Sequence, residues 1–355
     1  MPSGQDASVA MRPRTVLVTG ASGFVGRALV RALVAAGDDV VCLVRPTSDL
    51  RGLAGVRFAF GDMTDARALQ AAVAGVEVVY HAAAVLKAPW RRDFDSTNVG
   101  GAACVADACA GLGDQAPVLV LVSSLAAAGP AAGHRARLES DPVAPVSRYG
   151  RAKYACEREV ARVAGHVPVS IVRPPMVIGD GDLSALPLFR MALRGVRLCP
   201  GPPGQPLSVI DVDDLARVLR LVAGSGERLA PIGRAQATAN GPATATGQGI
   251  YFATGTQATS WGELSDGVMR ALGRSGGVRV AVPQPLIWLA AAAGEVVGRL
   301  RDRPSLLSLD KAREATAGAW WCSGDKAMTT LDFATTPLDI SLAATAAGYR
   351  QRGWL

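Results

Sequence analysis

The sequence has few histidines, few aromatic residues and no regular cysteine framework. No two of its three histidines are spaced as a metal-binding pair, and none lies near paired cysteines, so we expect neither a structural nor a catalytic zinc site. The six cysteines are scattered through hydrophobic stretches without a C-x-x-C pair. This usage is typical of a reduced, cytoplasmic protein.

Long hydrophobic runs and clusters of like charge are also missing. The longest apolar segment covers residues 286–293, well short of the roughly 20 residues that span a bilayer. The net charge is +7, but the arginines alternate with acids. We therefore expect no transmembrane segment and no nucleic-acid partner. Residues 1–14 lack the apolar core of a signal peptide and are predicted to form a flexible arm.

Short apolar runs alternate with helical patterns and predict a parallel sheet. Residues 15–18 lead into a glycine-rich turn, a helical pattern covers residues 25–36, and residues 40–44 form a second apolar run. Because these runs are continuous rather than alternating, they are typical of strands buried on both faces. Similar runs follow at residues 56–60, 76–80, 118–122 and 169–172. The predicted fold class is α/β: a Rossmann-type doubly wound parallel sheet with a smaller C-terminal substrate-binding cap.

Prolines interrupt the chain after residue 174 and indicate where the sheet domain gives way to the cap. The segment 224–248 is rich in Gly, Ala, Thr and Pro without periodicity, so it is predicted to be a loop insertion. The predicted division has a dinucleotide-binding domain at 15–174 with returning segments near 205–222 and 250–258, and a cap region at 175–204 and 259–355.

Three glycines follow the first predicted strand and open the first helix, a context that favours a dinucleotide site. Gly20 permits a tight turn, Gly23 lets the backbone approach a pyrophosphate, and Gly26 lets helix and strand pack closely. Backbone N–H groups at the helix N-terminus then point at the phosphates. The alternative is a turn that only packs a helix on a strand. The predicted pyrophosphate-binding residues are Gly20, Ser22, Gly23, Phe24, Val25 and Gly26.

The end of the second strand decides which dinucleotide fits. An acid there binds free ribose hydroxyls, whereas a cation suits a 2′-phosphate. Arg45 occupies this position, so NADP(H) is the preferred cofactor, and Asp49 nearby leaves NAD(H) open. Asp62 and Met63 follow the third strand, where the Asp62 carboxylate is predicted either to contact the adenine or to cap the next helix.

Tyr149 and Lys153 lie four residues apart in a predicted helix and therefore share one face. A free tyrosine has a pKa near 10, and a neighbouring cation favours its phenolate. The pair is predicted to transfer a proton, although helical Tyr and Lys residues are also found as surface neighbours. A hydroxyl from Ser123 or Ser124, just past a strand end, would orient the reacting oxygen.

In this order, the motifs resemble those of the extended short-chain dehydrogenases/reductases of the NAD-dependent epimerase/dehydratase superfamily. The motifs are residues 19–26, 61–63, 81–84, Asn98, 123–124, the Tyr149/Lys153 pair, 173–175 and 212–214.

The resemblance implies a set of roles. Ser124, Tyr149 and Lys153 would be catalytic, with Ser123 as the fallback for the serine, and Asn98 would support the lysine through water. Cofactor contacts would include Tyr149, Lys153 and Pro174, with residues Ala82, Ala83 and Ala84 forming a turn beneath the cofactor. It also implies a homodimer.

Within this family, residues 123–130 resemble the 3β-hydroxysteroid dehydrogenase and dihydroflavonol reductase branch. Nucleotide-sugar epimerases usually carry a diphosphate-binding arginine where this chain has Leu207, although Arg190, Arg194 or Arg197 would be substitutes. The favoured function is therefore interconversion of a secondary alcohol and a ketone on a mostly apolar small molecule. A nucleotide-sugar epimerase or dehydratase and a non-catalytic cofactor sensor are the alternatives. Apolar residues in and near the cap suit such a substrate, or simply pack the cap on the sheet: Leu183, Leu186, Leu188, Phe189, Met191, Leu193 and Trp288.

Overall fold

The structure is a computed structural model that describes residues 12–85, 95–231, 246–255, 257–300 and 308–355. The predicted arm falls mostly on residues 1–11 and the predicted insertion mostly on residues 232–245, and both of these segments lie outside the described residues.

The described strands are β1 (Thr15–Thr19), β2 (Asp39–Val44), β3 (Arg57–Phe60), β4 (Val78–His81), β5 (Val118–Val122), β6 (Val169–Arg173), β7 (Met176–Ile178), β8 (Val196–Cys199), β9 (Pro206–Leu207), β10 (Val209–Asp211), β11 (Ile250–Phe252), β12 (Thr259–Ser260) and β13 (Val278–Ala281).

The described α-helices are α1 (Phe24–Ala35), α2 (Ala66–Val73), α3 (Gly100–Ala110), α4 (Leu125–Ala128), α5 (Arg148–Arg162), α6 (Leu186–Leu193), α7 (Val212–Ser225), α8 (Trp261–Ala271), α9 (Gln284–Leu300), α10 (Leu309–Thr316), α11 (Asp325–Thr330) and α12 (Leu338–Gln351). A π-helical turn, Asp95–Val99, leads into α3. Among the helices described, none combines the length and apolarity needed to cross a membrane.

Seven parallel strands form the central sheet, in the order β11-β6-β5-β4-β1-β2-β3. The order reverses between β1 and β4, which creates a crevice at the carboxyl ends of these two strands where such folds bind ligands. The predicted α/β fold class, a Rossmann-type parallel sheet, is confirmed. The seventh strand, β11, comes from the predicted returning segment near 250–258.

Two apolar layers bury the two faces of the sheet. Within β1, Val16 and Val18 pack in the layer beneath α1 and α7, whereas Leu17 packs in the layer beneath α2, α3 and α5. Successive side chains of a strand point to opposite faces, so a strand covered on both sides is apolar along most of its length. Burying each Val or Leu contributes about 1.5–3 kcal/mol.

The cap has its own core, formed by α6, α8 and α12 around the buried rings of Phe189 and Tyr349, which meet edge to face with 5.0 Å between centroids. Leu186 and Phe189, two of the apolar residues that suited a hydrophobic substrate, are therefore core residues, and Leu183 is 62% exposed. The sequence division placed residues 325–333 in the cap region, but Phe333 of this segment packs in the sheet core beneath α1 and α7.

Candidate active site

The glycine-rich turn lies at the crevice between β1 and β4. Gly20 has a φ of +75°, and a Cβ there would lie 2.5 Å from the backbone nitrogen of Ala83. A Cβ at Gly26 would collide with the carbonyl oxygen of Gly20, so both positions require glycine. The two glycines bring strand β1, helix α1 and the loop after β4 into close contact.

Helix α1 begins at this turn without a side-chain cap. Its N-cap residue is Gly23, no side chain accepts a hydrogen bond there, and its first turn carries no acidic residue. Helix N-termini leave backbone N–H groups unpaired, and these groups together with the helix dipole attract phosphate. The N-terminus around Phe24 and Val25 therefore fits the pyrophosphate of a nicotinamide dinucleotide.

A cleft of about 220 Å³ opens beside this helix end. Its described lining contains nine of the predicted cofactor-binding residues, namely Gly20, Ser22, Gly23, Arg45, Asp62, Met63, Ala82, Ala83 and Ala84. The other six, Phe24, Val25, Gly26, Tyr149, Lys153 and Pro174, are not part of that lining. Pro174 instead accepts a hydrogen bond at its carbonyl from the Leu125 N–H.

Arg45 and Ser48 line the far end of the cleft, after β2. Arg45 is exposed, and its backbone N–H donates to the Ser48 hydroxyl at 3.1 Å. The Asp49 carboxylate is paired with Arg51 at 2.9 Å, which lowers the pKa of Asp49 to about 2. Arg45, the cation predicted to recognise a 2′-phosphate, thus lines the cleft. Asp49, the acid that left NAD(H) open as a cofactor, is paired with Arg51.

Asp62 lines the cleft and organises the turn before α2. It accepts hydrogen bonds from the Thr64 N–H at 3.0 Å and the Thr64 hydroxyl at 2.8 Å. The N-cap of α2 is Asp65, which accepts from the Arg67 and Ala68 N–H groups. The alternative role of Asp62 as the helix cap is therefore wrong, whereas its contact with an adenine stays a prediction.

A buried contact between Thr19 and His81 holds the loop beneath the cleft. The Thr19 hydroxyl lies 2.7 Å from Nδ1 of His81 and accepts a hydrogen bond from the Ala83 N–H at 3.3 Å. Burial, together with the positive charge of Lys153, lowers the pKa of His81 to about 3. His81 is therefore neutral in the native protein at neutral pH.

Because native His81 stays neutral, the free energy of unfolding decreases as the pH is lowered. Below its ordinary pKa of 6.5, the imidazole of the unfolded chain binds a proton that native His81 does not bind until about pH 3. Stability therefore rises with pH between these two values. From pH 7.5 to pH 5.5, His81 should account for a loss of about 1.4 kcal/mol in the free energy of unfolding.

Urea denaturation at both pH values, on the wild type and on His81→Asn, checks this prediction. The variant should lack this part of the acid-induced loss. An equal loss in the two proteins would show that His81 is not the group responsible.

Helix α5 brings Tyr149 and Lys153 to the carboxyl edge of the sheet. Its N-cap is Ser147, whose hydroxyl accepts from the Gly150 N–H at 2.9 Å. A Cβ at Gly150 would collide with the carbonyl oxygen of Ala126 in α4. The missing side chain lets α5 approach α4 closely enough to bring Tyr149 to Ser124.

The Tyr149 side chain is hydrogen-bonded to the hydroxyl of Ser124, which also accepts from the Ala126 N–H at 3.1 Å. Burial raises the pKa of Tyr149 above its ordinary value of 10, the carboxylate of Glu314 raises it further, and the bond to Ser124 lowers it. The phenol is therefore protonated at neutral pH. A protonated phenol beside a hydroxyl is suited to donating a proton to a carbonyl oxygen.

Lys153 is fixed at the end of β5. Its side chain is 2% exposed, and its Nζ donates to the carbonyl oxygen of Val122 at 2.6 Å. Burial lowers the pKa of Lys153 from its ordinary value. This contact holds the ammonium group one residue before Ser123.

Ser123, the second candidate for the catalytic serine, is hydrogen-bonded within a buried cluster of charged side chains. Its hydroxyl donates to Glu157 at 2.5 Å, and Glu157 forms two hydrogen bonds with Arg173 at 2.8 and 2.6 Å. All three side chains are buried. This cluster is structural and leaves Ser124 as the hydroxyl that contacts Tyr149.

Asn98 lies in the π-helical turn before α3 and is 1% exposed. Its side-chain oxygen accepts from the Val85 N–H at 2.7 Å, and its nitrogen donates to the Val85 carbonyl at 3.0 Å. Asn98 thus anchors the chain that follows β4 beside the cleft. Its predicted support of Lys153 through water stays a prediction.

Sequence reasoning missed the contacts that helix α10 makes with the start of α5. Asp310 accepts hydrogen bonds from the N–H groups of Arg148 at 2.6 Å and Tyr149 at 3.2 Å, so it caps α5 from a distant part of the chain. The Nζ of Lys311 lies 5.6 Å from the centre of the Tyr149 ring. The separation of 161 and 162 residues leaves no local signal for these contacts.

Of the residues considered for a sugar-nucleotide diphosphate, Arg194 is exposed, whereas Leu207, Arg190 and Arg197 have structural roles. Leu207 is 3% exposed and packs in the cap core. Arg190 donates to the Trp354 carbonyl, and Arg197 pairs with Asp266 at 3.1 Å. Throughout the described ranges, no group of three His, Cys, Asp or Glu residues is arranged to hold a metal ion.

The sheet has a glycine-rich turn at its switch point, next to a helix that presents tyrosine and lysine. This combination defines a class: the extended short-chain dehydrogenases/reductases, which are NAD(P)-dependent enzymes. Residues 16–232 match the model of the NAD-dependent epimerase/dehydratase family, and the chain belongs to this family. The resemblance found in the sequence is thereby confirmed.

Known proteins similar to this chain include both a reductase and a protein that binds a sugar nucleotide. Ceramide reductase of Caulobacter vibrioides is 30% identical over 342 residues, covering 96% of each chain. The crystal structure of gox2253 superposes with a TM-score of 0.73 at 26% identity, covering 96% of this chain and 99% of that one. The structure of MoeE5, solved with UDP-glucuronic acid and NAD, superposes with a TM-score of 0.68 at 23% identity. The match covers 95% of this chain and 99% of that one. At this identity the likeness shows the fold alone.

Proposed function

We propose that the protein is an NADP(H)-preferring reductase that converts a ketone on a mostly apolar molecule into a secondary alcohol. The observation that carries this proposal is the contact between Tyr149 and Ser124 beside Lys153, at the sheet edge that also holds the dinucleotide cleft. This arrangement supplies a proton donor and a second hydrogen-bonding hydroxyl where a bound nicotinamide would supply hydride.

In the reductive direction, the hydroxyls of Ser124 and Tyr149 together hold the carbonyl oxygen. Tyr149 donates its phenolic proton to that oxygen, and the raised pKa keeps the phenol protonated and ready. The positive charge of Lys153 stabilises the phenolate that remains. In the oxidative direction the same groups act in reverse, with Tyr149 as the base.

An apolar, lipid-like substrate is supported by the ceramide reductase of Caulobacter vibrioides, which is similar along 96% of both chains. The structural roles of Leu207, Arg190 and Arg197 argue against a site for a nucleotide-sugar diphosphate. We therefore place reduction of a lipid ketone ahead of sugar epimerisation.

The test follows nicotinamide absorbance with NADPH and NADH separately, using apolar ketones and UDP-, GDP- and dTDP-sugars. Ketone-dependent oxidation of NADPH supports the reductase. Isomerised sugar without net change in the nicotinamide would instead assign an epimerase. Cofactor binding without turnover of either substrate class would favour a sensor.

Replacing Arg45 with alanine should weaken NADPH binding and leave NADH binding unchanged. A charge-assisted hydrogen bond is worth about 1.5–3 kcal/mol, so the Kd for NADPH should rise roughly tenfold to hundredfold. Fluorescence titration of both cofactors checks this. Arg57→Ala is the matched control, because Arg57 pairs with Asp39 on the exposed end of the same sheet. Equal weakening of NADPH and NADH by Arg45→Ala would contradict the assignment of a 2′-phosphate contact.

A further inference from the structure

One carboxylate oxygen beside the candidate active site has no partner. Oε2 of Glu314 accepts a hydrogen bond from Lys311 at 2.6 Å, whereas Oε1 is buried and forms no hydrogen bond within the described residues. The Glu314 side chain is 15% exposed. Leaving a buried polar group unsatisfied costs about 1–3 kcal/mol, and more for a charged group. Such an oxygen is therefore expected to gain a partner when the site is filled.

Glu314 lies on helix α10, which contacts both the backbone and the ring of Tyr149. At the start of α10, Asp310 caps the helix that carries Tyr149, and at its end the indole N–H of Trp320 donates to the Glu314 carbonyl at 2.7 Å. The Nζ of Lys311, which donates to Glu314, lies 5.6 Å from the centre of the Tyr149 ring. The charge of Glu314 also acts on the Tyr149 phenol. The unpaired oxygen thus belongs to the surroundings of the proton donor.

We propose that Oε1 of Glu314 binds a neutral hydrogen-bond donor, a hydroxyl or an amide N–H, that the substrate carries close to its reacting carbonyl. This inference rests on the proposed reductase function and narrows its substrate class. Lys311 neutralises the carboxylate from the other side, so a neutral donor completes the pair without adding a second cation. A ketone surrounded only by hydrocarbon would leave Oε1 buried and unpaired, and the site would disfavour it.

Glu314→Gln tests the proposal with little change of shape. The Lys311 ammonium is only a donor, so it will hold the glutamine carbonyl oxygen and place the NH₂ group where Oε1 was. An acceptor is thereby replaced by a donor. For a ketone with an adjacent secondary amide, kcat/KM should fall roughly tenfold to hundredfold. For the N-methylated amide and for the plain ketone, it should change less than about threefold.

Hydroxy ketones and their methyl ethers form the second pair of substrates and show which kind of donor is preferred. Binding of the amide alcohol product without cofactor, measured by calorimetry, gives a readout independent of turnover and should weaken in the same variant. Glu159→Gln is the control, since Glu159 forms a surface pair with Arg162 on α5. This control variant should leave kcat/KM unchanged for every substrate.

The outcomes separate the two proposals. An equal loss on donor-bearing and donor-free ketones would make Glu314 a residue that positions Tyr149 and would overturn the inference. So would a wild type that reduces both kinds of ketone equally well. A wild type that reduces none of the ketones with NADPH would instead overturn the proposed function. If Glu314→Gln fails to fold, the comparison of matched substrates on the wild type still decides.

Discussion

Tyr149→Phe should lose almost all ketone reduction while binding NADPH as tightly as the wild type. The substitution removes one oxygen atom and keeps the ring that packs beneath Lys311. General acid catalysis contributes typically a factor of 10² to 10⁴, so kcat should fall by about that much. Steady-state kinetics with an apolar ketone, paired with fluorescence titration of NADPH, separates loss of chemistry from loss of binding.

Tyr154→Phe is a matched control for this variant. Tyr154 lies on the same helix, and burial also raises its pKa, but it is one residue past Lys153 and outside the contact with Ser124. It should keep near wild-type activity. Wild-type rates in Tyr149→Phe would contradict the assignment of Tyr149 as the proton donor, and the Ser124 hydroxyl would then need to be tested in its place.

The parallel sheet and the glycine-rich turn at its cleft were predictable because their signals are local. A strand buried on both faces is apolar along most of its length, and a glycine turn between strand and helix occupies eight consecutive residues, 19–26. Tyr149 and Lys153 are one helical turn apart, so their shared face follows from helix geometry. Each of these inferences needs only a short window of sequence.

The choice between Ser123 and Ser124 depends on contacts that a short window does not contain. The two hydroxyls follow the same strand, and only the structure shows that Ser123 donates to Glu157 while Ser124 contacts Tyr149. A partial signal was present, because Glu157 follows Lys153 by four residues and shares its helix face. The contacts of α10 with Tyr149 join residues about 160 positions apart, and no periodicity reports such a contact.

Helix α10 also shows why the cap matters to the site in the sheet domain. Its first turn satisfies N–H groups at the start of α5 through Asp310, which an isolated sheet domain would leave to water. Ser124 and Tyr149 thus come from the sheet domain, whereas Asp310, Lys311 and Glu314 come from the C-terminal part of the chain. The start of α5, and with it Tyr149, is therefore held by a single short helix from another part of the chain.

Glu157→Met should destabilise the protein by about 3–5 kcal/mol. Glu157 is fully buried and is the partner of Arg173, which is 1% exposed. Removing the carboxylate leaves the guanidinium charged in an apolar interior and deprives the Ser123 hydroxyl of its acceptor. The free energy of unfolding, measured by urea denaturation, should fall by this amount.

Glu159→Gln on the same helix provides the comparison, since its pair with Arg162 is solvent-exposed and worth less than about 1 kcal/mol. The double variant Glu157→Met with Arg173→Met removes both charges, and its stability should return to within about 1 kcal/mol of the wild type or exceed it. A double variant as unstable as the single one would show that packing around Arg173, and not its unpaired charge, causes the loss. Recovery of stability without recovery of activity would separate the two tasks of this cluster: it would show that Glu157 holds Ser123 in place so that Ser124 meets Tyr149.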